Sequence, residues 1–209
     1  MKHTPFVILL VSLLSACVVP INSSYESARM LGKGNTEIMG HYSHYLVNAE
    51  GESDAVNNNV GLRLGYGITD RVDLKARYIR LLPTEEGASG VNYVDLAPKF
   101  AFVPGKFAGA IPVGLYFADD ETQWVFSPKL LYTYPANDMF EATLAAKADI
   151  FPDDEGEVYL GFNLGLGLSQ NLNRWAIRPE LGLMINPGES GTIWSFGIGF
   201  NAVLPGRKQ

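Results

Sequence analysis

One cysteine in 209 residues excludes an internal disulfide framework. Charge is also scarce. Only 18% of the chain is Asp, Glu, Lys or Arg, below the usual quarter or so, while 47% is hydrophobic. A chain this apolar can bury surface, so disorder is excluded. Basic residues are outnumbered 16 to 22, and a net charge of −6 repels phosphate and argues against a nucleic-acid partner. After the first seventeen residues no run of 18 apolar residues occurs, so no transmembrane helix follows. What the chain has instead is 22 glycines and an 11% share of aromatics, a composition of extended structure.

Residues 1–17 read MKHTPFVILLVSLLSAC. Lys2 followed by the apolar Phe6–Leu14 has the form of a secretory signal, too short to span a bilayer. Leu14-Ser15-Ala16-Cys17 resembles a bacterial lipobox. That resemblance implies a signal over 1–16, cleavage before Cys17, a covalent lipid on Cys17 and sorting by the lipoprotein machinery of a Gram-negative envelope. Val18 rather than Asp follows the cysteine, which permits the outer membrane. Several acyl chains together give stable anchoring. The other cofactor expectation is none.

Beyond the signal, period-two alternation recurs. In 60–68, Val60, Leu62, Leu64, Tyr66 and Ile68 oppose Gly61, Arg63, Gly65 and Gly67. In 157–168 every second residue from Val158 to Leu168 is a bulky hydrophobe, opposed by Gly161, Asn163, Gly165 and Gly167. Each pattern is a strand with one apolar and one polar face. The same signal predicts ten strands: 35–46, 57–68, 71–82, 91–103, 107–118, 122–134, 139–150, 157–169, 174–185 and 191–204. Short turns alternate with longer, acid-rich loops, as in an up-and-down antiparallel meander. The domains expected are the signal 1–16, a lipidated leader 17–34, the barrel 35–204 and a tail 205–209.

Three features place the apolar face toward lipid. Glycines crowd the polar face, where a narrow closed barrel has little room. Trp124, Trp175 and Trp194 lie near strand ends in phase with the apolar set, as interfacial girdles do. The loops 47–56, 83–90, 119–121, 151–156 and 186–190 carry twelve acids and no Lys or Arg, whereas Arg71, Lys106 and Arg174 flank the opposite turns. The fold class is therefore an all-β, up-and-down antiparallel transmembrane barrel of about ten strands, with eight or twelve as the alternatives.

On these residues the chain resembles the small bacterial outer-membrane β-barrel proteins. GYGITDRVDLKARY (65–78) is similar to their hairpins, and SFGIGFNA (195–202) to the last-strand signal of the barrel-insertion machinery, although Ala202 and the five residues after Leu204 depart from it. The resemblance implies outer-membrane lipid and that machinery as partners, with both termini periplasmic. A leader of about seventeen residues would join a lipid in the inner leaflet to the first strand.

Strand phase points Glu37, Arg63, Arg71, Asp73, Lys75, Arg77, Asp95, Lys99, Lys129, Glu141, Lys147, Asp149, Arg174, Arg178 and Glu180 inward. Most must form cross-strand pairs, since isolated charge in a narrow lumen is costly. The first function expected is a structural, adhesive or narrow-pore barrel with a lumen closed by ion pairs. A second is an acylated soluble lipocalin-like barrel around an apolar ligand, and a third a lipid hydrolase using Glu37, His41 and Ser43. Against the third, His41 and Ser43 stand two apart on one strand, about 6.6 Å by rise. Asp119, Asp120, Glu121 and Asp153, Asp154, Glu155 are hard-oxygen clusters of the kind that hold Ca²⁺ or Mg²⁺, though no ligand loop surrounds them. Pro98, Pro112, Pro128 and Pro179 share the apolar phase and a similar height, and predict a belt of bulges at one level.

Overall fold

The structure is a computed structural model that describes residues 20–49, 51–85, 87–118, 121–152 and 156–206. Twelve strands are present in chain order: β1 (Thr36–Ala49), β2 (Glu52–Gly67), β3 (Val72–Pro83), β4 (Val91–Val103), β5 (Phe107–Ala110), β6 (Val113–Ala118), β7 (Glu121–Phe126), β8 (Lys129–Pro135), β9 (Phe140–Phe151), β10 (Glu157–Leu168), β11 (Trp175–Ile185) and β12 (Thr192–Leu204). β5 with β6, and β7 with β8, are the two halves of single staves interrupted at Pro112 and Pro128. The wall thus has the ten staves the alternation predicts. All are antiparallel, and pairing of β1 with β12 from Thr36↔Leu204 to Asn48↔Thr192 closes the cylinder and removes both sheet edges.

One hairpin is longer than predicted. The stretch 47–56 reads as a loop because it is polar, yet β1 and β2 continue to Ala49↔Glu52, with a register shift beside Leu46 where Val56 is the extra residue. Main-chain bonds hold an antiparallel pair whatever its side chains, so polarity alone does not end it.

The prolines share one level as expected, but the predicted bulges do not form. The register is the same on both sides of each gap, as from Leu96↔Val113 to Lys99↔Ala110 and from Phe126↔Ile150 to Lys129↔Lys147. The prolines instead interrupt the ladders along a seam across adjacent staves. Ile111 donates to the Pro98 carbonyl, Ser127 to that of Pro112 and Ala148 to that of Pro128, at 2.9–3.1 Å. Each proline still accepts a bond but cannot donate one, so β5/β6 and β7/β8 break there. Pro179 stays paired with Ile198 on one side, while on the other side the β10–β11 ladder skips from Gly165↔Glu180 to Leu168↔Ile177.

Side-chain direction follows the alternation. Leu62 is 60% exposed, Leu64 57% and Phe200 53%, and Trp124 and Tyr134 also point outward. A continuous apolar exterior of this extent is a lipid-facing belt, not a soluble surface. This overturns the lipocalin-like alternative, in which the leucines would line a central cavity.

Glycines stand inside where something else needs the space. A Cβ at Gly61 would collide with the His41 ring, and one at Gly197 with the Tyr25 hydroxyl and the Tyr42 carbonyl. Gly197→Ala is therefore expected to cost about 1–3 kcal/mol, read as a lowered thermal midpoint. Gly40→Ala, whose nearest neighbour would be Leu62 Cδ2 at 3.8 Å, should leave the midpoint unchanged.

Candidate functional site

The lumen is the site, and its occupant is the chain itself. Residues 20–33 have no regular secondary structure and no apolar period, and they run up the inside of the barrel. Gly34 donates to the Gly67 carbonyl at the tight-turn end, and the Lys33 amide bonds the Asp70 carboxylate there. At the other extreme the Ile21 amide donates to the Tyr116 hydroxyl, and Ile21 packs in an apolar cluster with Ile79, Leu81, Tyr93, Tyr116, Val125 and Phe151 near the long-loop end. Residues 20–28 are all buried.

An extended strap carries one donor and one acceptor per residue, and inside a closed wall side chains must satisfy them. They do so along its length. Glu180 accepts from the amides of Ser24 and Tyr25 at 2.6 and 2.7 Å, Thr133 from Ala28 at 2.7 Å, and Asp73 from Leu31. Arg63 donates to the Ser24 and Tyr25 carbonyls, Arg77 to Ser23, Lys99 to Ser27 and Arg29, and Lys147 to Ile21. Asn163 and Ser195 both donate to the Asn22 carbonyl. Much of the lumen charge thus serves the strap's backbone rather than a cross-strand partner.

The ion pairs complete the packing. Glu26, from the strap, lies 2.6 Å from Lys129, 3.1 Å from Lys75 and 3.6 Å from Arg63. Glu37 is 3.0 Å from Arg63 and 3.6 Å from Lys75. Arg77 pairs with Asp95 and Lys147 with Asp149, each at 2.6 Å, and Glu141 joins Arg178 at 2.9 Å and Arg29 at 2.5 Å. Of the residues with inward phase, Arg71 and Arg174 instead stand exposed, because each sits in a turn rather than in a strand.

His41 and Ser43 do face the lumen. The Ser43 hydroxyl bonds the Tyr25 hydroxyl at 2.7 Å, and the His41 ring lies 5.0 Å from the Tyr25 ring, its two nitrogens without a hydrogen-bond partner among the described residues. The structure does not bring His41 and Ser43 together, and neither reaches the lipid face where a hydrolase would meet its substrate. Of the acidic clusters only Glu121 lies within the described residues, exposed at the start of β7; Asp119, Asp120, Asp153, Asp154 and Glu155 lie outside them, as does Cys17.

No family model and no curated sequence matches the chain. Among solved structures, an outer membrane channel from Pseudomonas putida is similar at a TM-score of 0.50 and 14% identity, over 90% of this chain and 100% of that one. Ail, the attachment invasion locus protein of Yersinia pestis, gives 0.38 and 11% over 82% and 99%, and OprG of Pseudomonas aeruginosa 0.35 and 10% over 84% and 99%. The closed wall, the lipid-facing exterior and the likeness to the Pseudomonas putida channel give the fold of an outer-membrane β-barrel.

Proposed function

We propose that the protein is an outer-membrane barrel closed by its own residues 20–33, with a structural role in the envelope and no conducting lumen. The observation carrying this reading is the buried strap, whose peptide groups are bonded to lumen side chains over most of its length. A ten-stranded barrel is only slightly wider than the eight-stranded kind that side chains fill, so one extended chain suffices to occupy it. Purified full-length protein in a planar bilayer is expected to give no channel events; steady ion conductance would overturn the reading.

Lipidation of Cys17 is part of the same proposal, supported by the lipobox. The strap also bears on the end of the barrel from which the chain enters the lumen. Cys17 stands four residues before Ile21, a reach of about 13 Å, and Ile21 lies in the long-loop half of the lumen. Return to the tight-turn rim would need roughly the twelve residues that the strap spends climbing away from it. We therefore place Pro20, where the described chain begins, in the long-loop half of the barrel, and the C-terminal end of the wall on the tight-turn side. An epitope inserted between Val19 and Pro20 is expected to share the antibody accessibility of one at Gly87, in a long loop. Accessibility matching an epitope at Gly105, in a tight turn, would contradict the placement.

A further inference from the structure

The lumen charges do not balance evenly along the barrel. In the long-loop half, Arg77 with Asp95 and Lys147 with Asp149 are closed one-to-one pairs. In the tight-turn half, six cations (Arg29, Arg63, Lys75, Lys99, Lys129 and Arg178) meet four carboxylates, Glu26, Glu37, Asp73 and Glu141. Glu180 adds a fifth at mid-height, but its oxygens are taken up by the amides of Ser24 and Tyr25. Bonds from neutral amides leave that charge in place, so the excess is one positive charge in a space removed from bulk solvent, where uncompensated charge is costly.

That excess surrounds a cavity. A space of about 250 Å³ lies between the strap and the wall at the tight-turn end, lined by Arg29, Arg63, Lys75, Lys99 and Arg178 but by only two carboxylates, Glu26 and Glu37. It has room for about eight waters at liquid density. Lys99 is the telling residue. It is 1% exposed, it donates to the carbonyls of Ser27 and Arg29 at 2.7 and 2.6 Å, and no carboxylate of the described residues lies within 4.0 Å of its ammonium. An ammonium has three donors, so one remains for whatever fills the cavity. Arg178 commits its Nε to Asn201 and one Nη to Glu141, leaving donors on the same space.

We infer that this cavity is a binding site for a small oxyanion of the phosphate or sulfate class, held by Lys99 and Arg178 with Arg63 and Lys75 behind them. Charge-assisted bonds from a lysine and a forked guanidinium are the chemistry that suits a tetrahedral oxyanion. The approach is electrostatically consistent: at the tight-turn rim Lys33, Arg71, Lys106 and Arg174 outnumber Asp70 and Asp138, while acids gather at the opposite loops. The anion would neutralise the surplus and brace the strap against the wall.

The test is thermal unfolding of the full-length protein in detergent, titrated with inorganic phosphate at constant ionic strength made up with sodium chloride. Phosphate is expected to raise the midpoint saturably, as a ligand of the folded state does. Lys99→Met is expected to weaken the apparent affinity at least tenfold, Lys99→Arg to retain it, and Lys106→Gln at the rim to leave it unchanged. A non-saturating rise, a rise equal to that in chloride alone, or unchanged affinity in Lys99→Met would overturn the inference. If Lys99→Met does not fold, the comparison of phosphate with chloride on the parent protein decides it. The inference rests on the closed lumen proposed above. Conductance by the full-length chain would fail that reading alone, and a non-conducting protein without a saturable phosphate effect would fail this one alone.

Discussion

Removal of residues 21–31 is expected to turn a silent protein into a channel. The wall is complete without them: all ten staves pair side to side, and none of their ladders passes through the strap. What leaves is the occupant of the lumen. Behind it remain Arg63, Lys75, Arg77, Lys99, Lys129, Lys147 and Arg178 against Glu37, Asp73, Asp95, Glu141, Asp149 and Glu180. That wall is polar, wettable and slightly positive. Single-channel recording of the shortened protein should show discrete openings with weak preference for anions, where the parent shows none. The second effect is thermodynamic. Ser24, Tyr25, Ala28 and Leu31 no longer bond Glu180, Thr133 and Asp73, so those groups must be rescued by water, and the thermal midpoint falls. A shortened barrel that inserts, keeps its sheet content and still does not conduct would mean that the wall side chains fill the lumen unaided.

Glu26→Ala is expected to be the most damaging single substitution in the strap. The Glu26 carboxylate answers three buried cations at once, Lys129, Lys75 and Arg63, and its side chain is 4% exposed. Arg63 and Lys75 keep Glu37, but Lys129 has no other carboxylate within 4.0 Å among the described residues. Removing one partner of a buried ionic cluster typically costs about 3–5 kcal/mol, because the remaining charge stays buried without compensation. Equilibrium unfolding in urea with detergent or lipid present should show a loss of that size. The double variant Glu26→Ala, Lys129→Met should recover a large part of it, since the stranded ammonium is then gone. A loss under about 1 kcal/mol would place this cluster in contact with bulk water, where ion pairs contribute little.

The wall was legible from alternation because lipid on one side and a crowded lumen on the other impose opposite demands on successive residues. Leu62 and Leu64 flank Arg63, and Phe162 and Leu164 flank Asn163, in the order the wall requires. The proline seam was legible for a different reason: a missing amide interrupts a ladder wherever it falls. The β1–β2 hairpin was underestimated because Ser53, Asp54 and Asn57–Asn59 look like loop residues, although backbone pairing carries them.

The strap was not legible as a strap. Residues 20–28 (PINSSYESA) have no period, since an extended chain surrounded on all sides by polar wall has no face to distinguish. One trace of it did exist. The inward-facing residues counted from strand phase hold nine bases and six acids, and an imbalance in a closed space requires a counter-charge from elsewhere. Glu26 supplies part of it, from a segment that otherwise reads as a mere leader. Once Arg71 and Arg174 are set aside at the turns, seven wall bases face six wall acids, Glu26 brings them level, and the surplus of one comes from Arg29, which the strap also carries.

Hydrogen exchange of the strap amides tests the occupied lumen most directly. In full-length protein reconstituted in lipid, the amides of Ile21, Ser24, Tyr25, Ala28 and Leu31 should exchange as slowly as those of the mid-wall strands, because each donates to a side chain inside the barrel. Exchange at the rate of an unstructured peptide, with the strand amides still protected, would put these residues outside the lumen and contradict the account.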